Sequence, residues 1–330
     1  MRRMLLRRTG PAEQGLLAED DVDLPTPVPG QVLLRVLACG VCRTDLHIIE
    51  GELSTPLPRV PGHQVVGTIE ALGAGVDGLE VGKRAGVGWL ASTCGLCVQC
   101  LRGRENLCEE PSFTGRDVDG GFAEAMLADA RFVYPLPASF SDAEAAPLLC
   151  AGIIGYRALK LSEIARGGRL GLIGFGASAH LAIQVARAME CEVFVFTRSE
   201  AGRELARELG AAWAGEVGDD PGVPLDAAVT FAPAGEVVVA ALARLGRGGT
   251  VAVNAVHASD IPSFPYERLY WERTVRSVAN FTRQDAREFL ALAGEIGMRV
   301  QTEVFALPEA NEALVRLKRG EVRGAAVLVP

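Results

Sequence analysis

Four cysteines fall within fifteen residues, Cys94, Cys97, Cys100 and Cys108, in the spacing Cx2Cx2Cx7C. Four thiolates on one short, glycine-containing loop can close a tetrahedral shell around a zinc ion. A shell of four protein ligands leaves no open position, so this metal is expected to brace the chain and not to react. The chemistry must be sought elsewhere. Three other segments hold candidate ligands: Cys42 in Gly40-Val41-Cys42-Arg43-Thr44-Asp45-Leu46-His47, His63 in Val60-Pro61-Gly62-His63-Gln64, and Cys150 in Ala146-Pro147-Leu148-Leu149-Cys150. Brought together they make a Cys2His set whose fourth position stays open to water or substrate. Scattered ligands carry little weight singly, since a lone buried cysteine behaves as a small hydrophobe.

The second chemical motif is a glycine turn. Leu170-Gly171-Leu172-Ile173 reads as a buried strand running into Gly174-Phe175-Gly176-Ala177-Ser178-Ala179, and the helical His180–Ala186 follows. This is GxGxxA, the dinucleotide fingerprint with Ala179 in third place. The first glycine permits the turn, the second admits a pyrophosphate, and the third small residue lets helix and strand pack. The helix N-terminus then favours negative charge. The second strand ends in Phe196-Thr197-Arg198-Ser199, where an NAD site usually has Asp or Glu. Without that carboxylate a 2′-phosphate is not repelled, and Arg198 offers it a partner, so NADP is favoured over NAD.

These motifs need two kinds of scaffold. Residues 1 to about 150 combine short apolar runs (Val32–Val36, Gln64–Ile69) with turn signals at Pro29-Gly30, Pro61-Gly62 and Asp77-Gly78, which predicts a β-rich domain. After Cys150, strands at Arg169–Gly174, Glu192–Thr197, Asp226–Phe231, Gly249–Val253 and Thr274–Ala279 alternate with helices at 178–189, 200–209 and 236–245. That alternation predicts βαβ units and a parallel sheet. A helix at Pro308–Arg319 and a strand at Ala325–Val329 close the chain, the strand returning to the first domain.

At 330 residues two domains are expected. A net charge of −8 argues against a nucleic-acid partner. No apolar run reaches the ~18 residues that span a bilayer, and Met1–Thr9 is too short for a signal peptide, so the cytoplasm is expected. CxxC spacing in such a chain points to metal and not to disulfides.

Together these residues resemble a zinc-dependent alcohol dehydrogenase of the medium-chain dehydrogenase/reductase superfamily. The resemblance covers the whole chain and includes the stretch Thr114-Gly115-Arg116-Asp117-Val118-Asp119-Gly120-Gly121-Phe122-Ala123-Glu124. It implies an α/β protein in three segments. A GroES-like β-rich catalytic domain would span 1–153 with the zinc lobe at about 91–110. A Rossmann coenzyme domain, a doubly wound parallel sheet, would span 154–297, and 298–330 would return to the catalytic domain. It further implies two zinc ions per chain, a catalytic one on Cys42, His63 and Cys150 and a structural one on the four-cysteine lobe. Thr44 would accept the alcohol proton and His47 would pass it to solvent. Arg43 would contact the cofactor pyrophosphate, with Gly174, Gly176, Ala179, Thr197, Arg198 and Ser199 lining the cofactor site. Trp89 would form a wall of the substrate pocket. Cys39 and Cys191 are expected as reduced core thiols, and His180 and His257 as packing residues. The family forms dimers and tetramers, so a homo-oligomer is expected.

One position departs from the family. Glutamate usually follows the zinc-binding histidine, and here it is Gln64. An amide still hydrogen-bonds but carries no charge, so zinc binding is expected to survive while the pH profile or the rate of alcohol release changes. Gln64→Glu with kcat measured against pH tests this. The reaction expected is reversible oxidation of a primary or simple secondary alcohol to aldehyde or ketone with NAD(P). The alternatives are an NADP-preferring aryl-alcohol or aldehyde reductase of the same fold, and a non-catalytic zinc- or cofactor-binding redox sensor.

Overall fold

In the computed structural model, which describes all 330 residues, the strand Gln31–Gly40 is the axis of a seven-stranded sheet. Val32, Leu33 and Leu34 are buried in succession, as a strand covered on both faces requires. It pairs antiparallel with Gln64–Leu72 and Ala125–Asp129, and through Cys39 and Gly40 with Ala325–Val329. The C-terminal strand therefore does join the first sheet. Ile48 and Ile49 of the helix Arg43–Ile49 enter the same core, which anchors the helix that carries Thr44 and His47.

The second unit holds six parallel strands. Their order is Trp213–Gly215, Glu192–Phe196, Arg169–Ile173, Leu225–Thr230, Leu245–Val253 and Thr274–Ser277. In sequence rank this is 3-2-1-4-5-6, the doubly wound order of dinucleotide-binding domains, with its switch point at the end of Arg169–Ile173. Helices Ala177–Ala188, Glu200–Glu208 and Gly235–Arg244 make three of the crossovers. The strands are near-continuous apolar runs such as Val193–Phe196, because helices cover both faces.

Among the elements not expected from sequence are the strand Trp213–Gly215 and the helices Ile153–Leu161 and Arg283–Glu295. The last alters the division of the chain. Contacts group Met1–Cys150, Thr282–Gly294 and Arg299–Pro330 in one unit and Ala151–Phe281 with Glu295–Met298 in the other. The helix Arg283–Glu295 thus packs with the first unit, whereas the sequence boundaries put it in the coenzyme domain. Its first residue shows why: the Arg283 backbone and guanidinium both donate to the buried Glu105 carboxylate, at 2.9 and 3.1 Å. No helix is long and apolar enough to cross a membrane.

Candidate active site and zinc lobe

Cys42, His63 and Cys150 come from segments separated by 20 and more residues, yet their ligand atoms all lie within 4.8 Å of one another. Each arrives by a different local device. Cys42 precedes the first turn of the helix Arg43–Ile49 in extended conformation. His63 follows Pro61-Gly62, where Gly62 has φ +93° and an added Cβ would strike Phe122 at 2.4 Å. Cys150 sits in the π-helical turn Leu148–Gly152, directly after Pro147. Proline lacks the N–H and crowds the preceding turn, which widens the helix there.

A buried carboxylate binds two of these segments together. Asp45 Oδ2 accepts from the Cys42 backbone N–H at 2.8 Å and Oδ1 from the Gly62 N–H at 3.1 Å. Oδ1 also lies 3.4 Å from His63 Nδ1. That is an ion-pair distance, outside hydrogen-bond geometry, and both ring nitrogens of His63 are buried without a hydrogen-bond partner. Behind them the stretch after Thr114 supports the Pro-Gly-His turn. Gly120 N–H donates to Val60, Gly121 N–H to Gly62 and Phe122 N–H to Pro61. Asp45→Asn keeps the shape but replaces one acceptor oxygen by an N–H donor facing another donor. Zinc affinity is expected to fall about 10- to 100-fold in competition with a chelating dye; an unchanged affinity would show that Asp45 only packs.

The protonation of the trio suits a cation. The hydrogen bond from Cys150 draws the Cys42 pKa well down against its burial, and Cys150 is raised in turn. Burial lowers the His63 pKa, but the Asp45 carboxylate and the Cys42 thiolate raise it to about 10. A thiolate, a thiol and an imidazolium held this closely share protons that a divalent ion displaces on binding. With the orphaned His63 ring, this donor set fits zinc.

Two further residues lie on the same helix. Thr44 is buried and its hydroxyl is 3.7 Å from Cys42 Sγ. His47 is half-buried and pairs through Nδ1 with the Glu52 carboxylate. Trp89 meets the His63 ring edge-on at 4.9 Å and stacks on Phe113 at 5.0 Å, with 14° between planes. Gln64 is buried, and its amide lies against Gly40, where an added Cβ would come within 2.8 Å of Oε1.

The four lobe cysteines also have their sulfurs within 4.8 Å of one another. Cys94 Sγ is 4.0 Å from Cys100 Sγ and 3.4 Å from Cys108 Sγ. Tetrahedral zinc–thiolate bonds of about 2.3 Å give edges of about 3.8 Å. Backbone N–H groups of Cys94, Cys97 and Glu110 point at these sulfurs, each at 3.4 Å. Backbone donors bring the Cys97 pKa down to about 6, while burial raises Cys100 to about 12. All eight cysteines of the chain are free of disulfides.

In the other unit, Gly174 has φ +90° and an added Cβ would meet the Ala232 nitrogen at 2.9 Å. At Gly176 it would meet nothing, so the space before the helix Ala177–Ala188 is open to a ligand. Ala179 is fully buried. This turn fits a pyrophosphate.

The sequence pattern of the alcohol dehydrogenase GroES-like domain matches residues 28–138, and that of the zinc-binding dehydrogenase family matches 177–295. The "Probable alcohol dehydrogenase AdhA" of Mycobacterium tuberculosis is 48% identical over 98% of this chain and 96% of its own. The chain belongs to the zinc-type medium-chain alcohol dehydrogenases. Solved structures agree. A cinnamyl alcohol dehydrogenase of Sorghum bicolor is 29% identical with a TM-score of 0.90, over 99% of this chain and 97% of its own. The acetophenone reductase of Geotrichum candidum, in complex with NAD, is 27% identical with a TM-score of 0.87, over 100% and 97%. Membership in this alcohol dehydrogenase family brings with it a zinc and a nicotinamide cofactor.

The remaining expected residues of the dehydrogenase fall into place unevenly. Thr197 is buried at the end of its strand, and Arg198 and Ser199 are exposed. Ser199 Oγ accepts from Gly202 N–H at 3.2 Å, capping the next helix. Arg43 is exposed and outside any ion pair. Cys39 and Cys191 are buried thiols, and His180 is a buried ring whose pKa burial lowers. His257 is corrected: it is exposed beyond its strand and packs in no core. Asp45, Glu52 and Phe113 are the site residues that sequence reasoning missed. Only Asp45 left a signal, as the acidic residue at the third helical position after Cys42, where a side chain reaches back to the preceding N–H.

Proposed function

We propose that the chain interconverts primary or simple secondary alcohols with aldehydes or ketones, exchanging hydride with NAD(P), and that Cys42, His63 and Cys150 hold the catalytic zinc. The observation that carries this is the convergence of those three donors beside the buried Thr44 hydroxyl. Three protein ligands leave room for the substrate oxygen, and two thiolates offset the charge of the ion. When bound, zinc polarises that oxygen and nicotinamide carries the hydride. The chain's own groups orient the substrate and move its proton. Thr44 takes the proton, and His47, three residues on and on the same helix face, delivers it to water. Trp89, fixed by His63 and Phe113, is the flat wall against which the substrate carbon lies. Gly174, Gly176 and Ala179 cradle the pyrophosphate, and Arg43 is retained as a cation for it. Cys94, Cys97, Cys100 and Cys108 hold a second, structural zinc.

NADP(H) is the favoured cofactor, because no carboxylate follows the strand Glu192–Phe196 and Arg198 has no competing partner. Arg198→Ala is expected to raise KM for NADP about 10-fold, the scale of one charge-assisted contact, and to leave KM for NAD unchanged. Equal effects on both cofactors would remove this assignment. The Trp89–Phe113 stack keeps aryl alcohols in view as substrates.

A homo-oligomer is supported by the edge strand Thr274–Ser277, exposed at all four residues, with Tyr266, Tyr270 and Trp271 exposed beside it in sequence. The free thiols support a reducing compartment such as the cytoplasm. The experiment for the whole reading is an alcohol panel with NAD and NADP, run with metal analysis and repeated after chelation. Turnover that disappears on chelation is expected. Bound zinc without turnover on any alcohol would favour the redox-sensor alternative.

A further inference from the structure

His47 stands in the last turn of the helix Arg43–Ile49, and the chain reverses immediately after it. Glu50 N–H donates to Leu46, Gly51 N–H to Ile48 and Leu53 N–H to His47 itself, at 2.8, 3.2 and 2.9 Å. Gly51 has φ +80°, a conformation that turns the chain back over the helix end. This return brings the Glu52 carboxylate onto His47 Nδ1. The other acid of the turn is committed elsewhere: Glu50 Oε1 takes Lys318 Nζ at 2.7 Å and the Ala12 N–H at 3.2 Å. Glu52 is therefore the carboxylate available to the imidazole.

An ionised carboxylate can only accept a hydrogen bond, so the proton between them belongs to Nδ1. The hydrogen bond at one ring nitrogen decides the state of the other. His47 Nε2, which has no protein partner, is left with its lone pair bare. We propose that Glu52 is a positioning residue of the proton relay, holding His47 in the Nδ1–H tautomer so that Nε2 is the atom that receives the proton. This deepens, and rests on, the reading of His47 as the relay base. A second carboxylate that orients a basic imidazole is a recurrent arrangement for general bases and metal ligands alike.

Nitrogen-15 NMR of histidine-labelled protein reads the tautomer directly, and with four histidines in the chain His47→Gln identifies the signals of His47. The wild type is expected to show a protonated Nδ1 and a bare Nε2. Glu52→Ala, at an exposed turn, is expected to lose that pattern and to lower kcat about 10-fold with KM for the alcohol unchanged. In a His47→Gln background the same change is expected to leave kcat unaltered, because Glu52 acts only through the ring. A wild-type Nε2–H tautomer overturns the proposal, and so does a Glu52→Ala loss of the same size in both backgrounds. If His47→Gln by itself leaves kcat intact, the relay reading fails and the catalytic role of Glu52 fails with it. The tautomer spectrum separates that outcome from a failure of the Glu52–His47 pair.

Discussion

Changing Cys150 to serine is expected to reduce the zinc content from two ions per chain to one. The same change should lower kcat on the order of 1,000-fold, since a Lewis acid contributes several kcal/mol and about 1.4 kcal/mol is a tenfold rate. Serine matches cysteine in shape, so the π-helical turn Leu148–Gly152 stays, but an alcohol is a poor zinc ligand. Zinc analysis with steady-state kinetics and a circular dichroism spectrum checks the prediction. A folded Cys150→Ser protein that retains full turnover would remove Cys150 from the reaction.

The opposite balance is expected in the lobe. Cys100→Ser should release the other zinc, lower Tm by about 10 °C and leave kcat per folded chain unchanged. A structural zinc contributes many kcal/mol to folding, and each kcal/mol moves Tm by a few degrees in a protein of this size. The loss should spread along an identifiable path. Glu105 lies in the lobe, its carboxylate buried against the backbone and guanidinium of Arg283, and that guanidinium stands 5.3 Å over the Phe132 ring. Opening the cysteine shell frees Glu105, leaves Arg283 without its acceptor and exposes Phe132. Differential scanning calorimetry beside metal analysis measures this. A large fall in kcat with Tm unchanged would place the lobe in the chemistry and not in the scaffold.

What could be read in the sequence follows from how local each feature is. The lobe and the GxGxxA turn are each contained in fewer than twenty residues, so spacing alone specifies their geometry. The Rossmann strands were legible because parallel strands covered on both faces are continuous apolar runs, as at Val193–Phe196. Trp213–Gly215 was not, because three residues carry no periodicity. The helix Arg283–Glu295 does carry a local signal, since Ala286, Phe289, Leu290 and Ala293 form a buried stripe at helical spacing. Its place in the fold depends on Glu105, far away in sequence, which no local pattern announces.

The proposed zinc set of Cys42, His63 and Cys150 could be assembled from the sequence only through the family resemblance, and the structure brings its donor atoms within 4.8 Å of one another. Three ligands on unrelated segments acquire meaning when the sheet brings them together, and the same holds for their supports. Asp45 ties Cys42 to Gly62 only once the Pro61-Gly62 turn is folded against Gly120–Phe122. Glu52 reaches His47 only because Gly51 reverses the chain. The NAD-type carboxylate missing after Phe196, by contrast, was visible as an absence in the sequence itself.

The most direct test of the account is a zinc reconstitution titration of metal-depleted protein, following alcohol-dependent NAD(P) reduction and Tm at each addition. Saturation at two ions per chain is predicted, with turnover tracking the ion held by Cys42, His63 and Cys150 and Tm tracking the other. Turnover that is independent of zinc, or complete at one ion per chain together with the full rise in Tm, would contradict it.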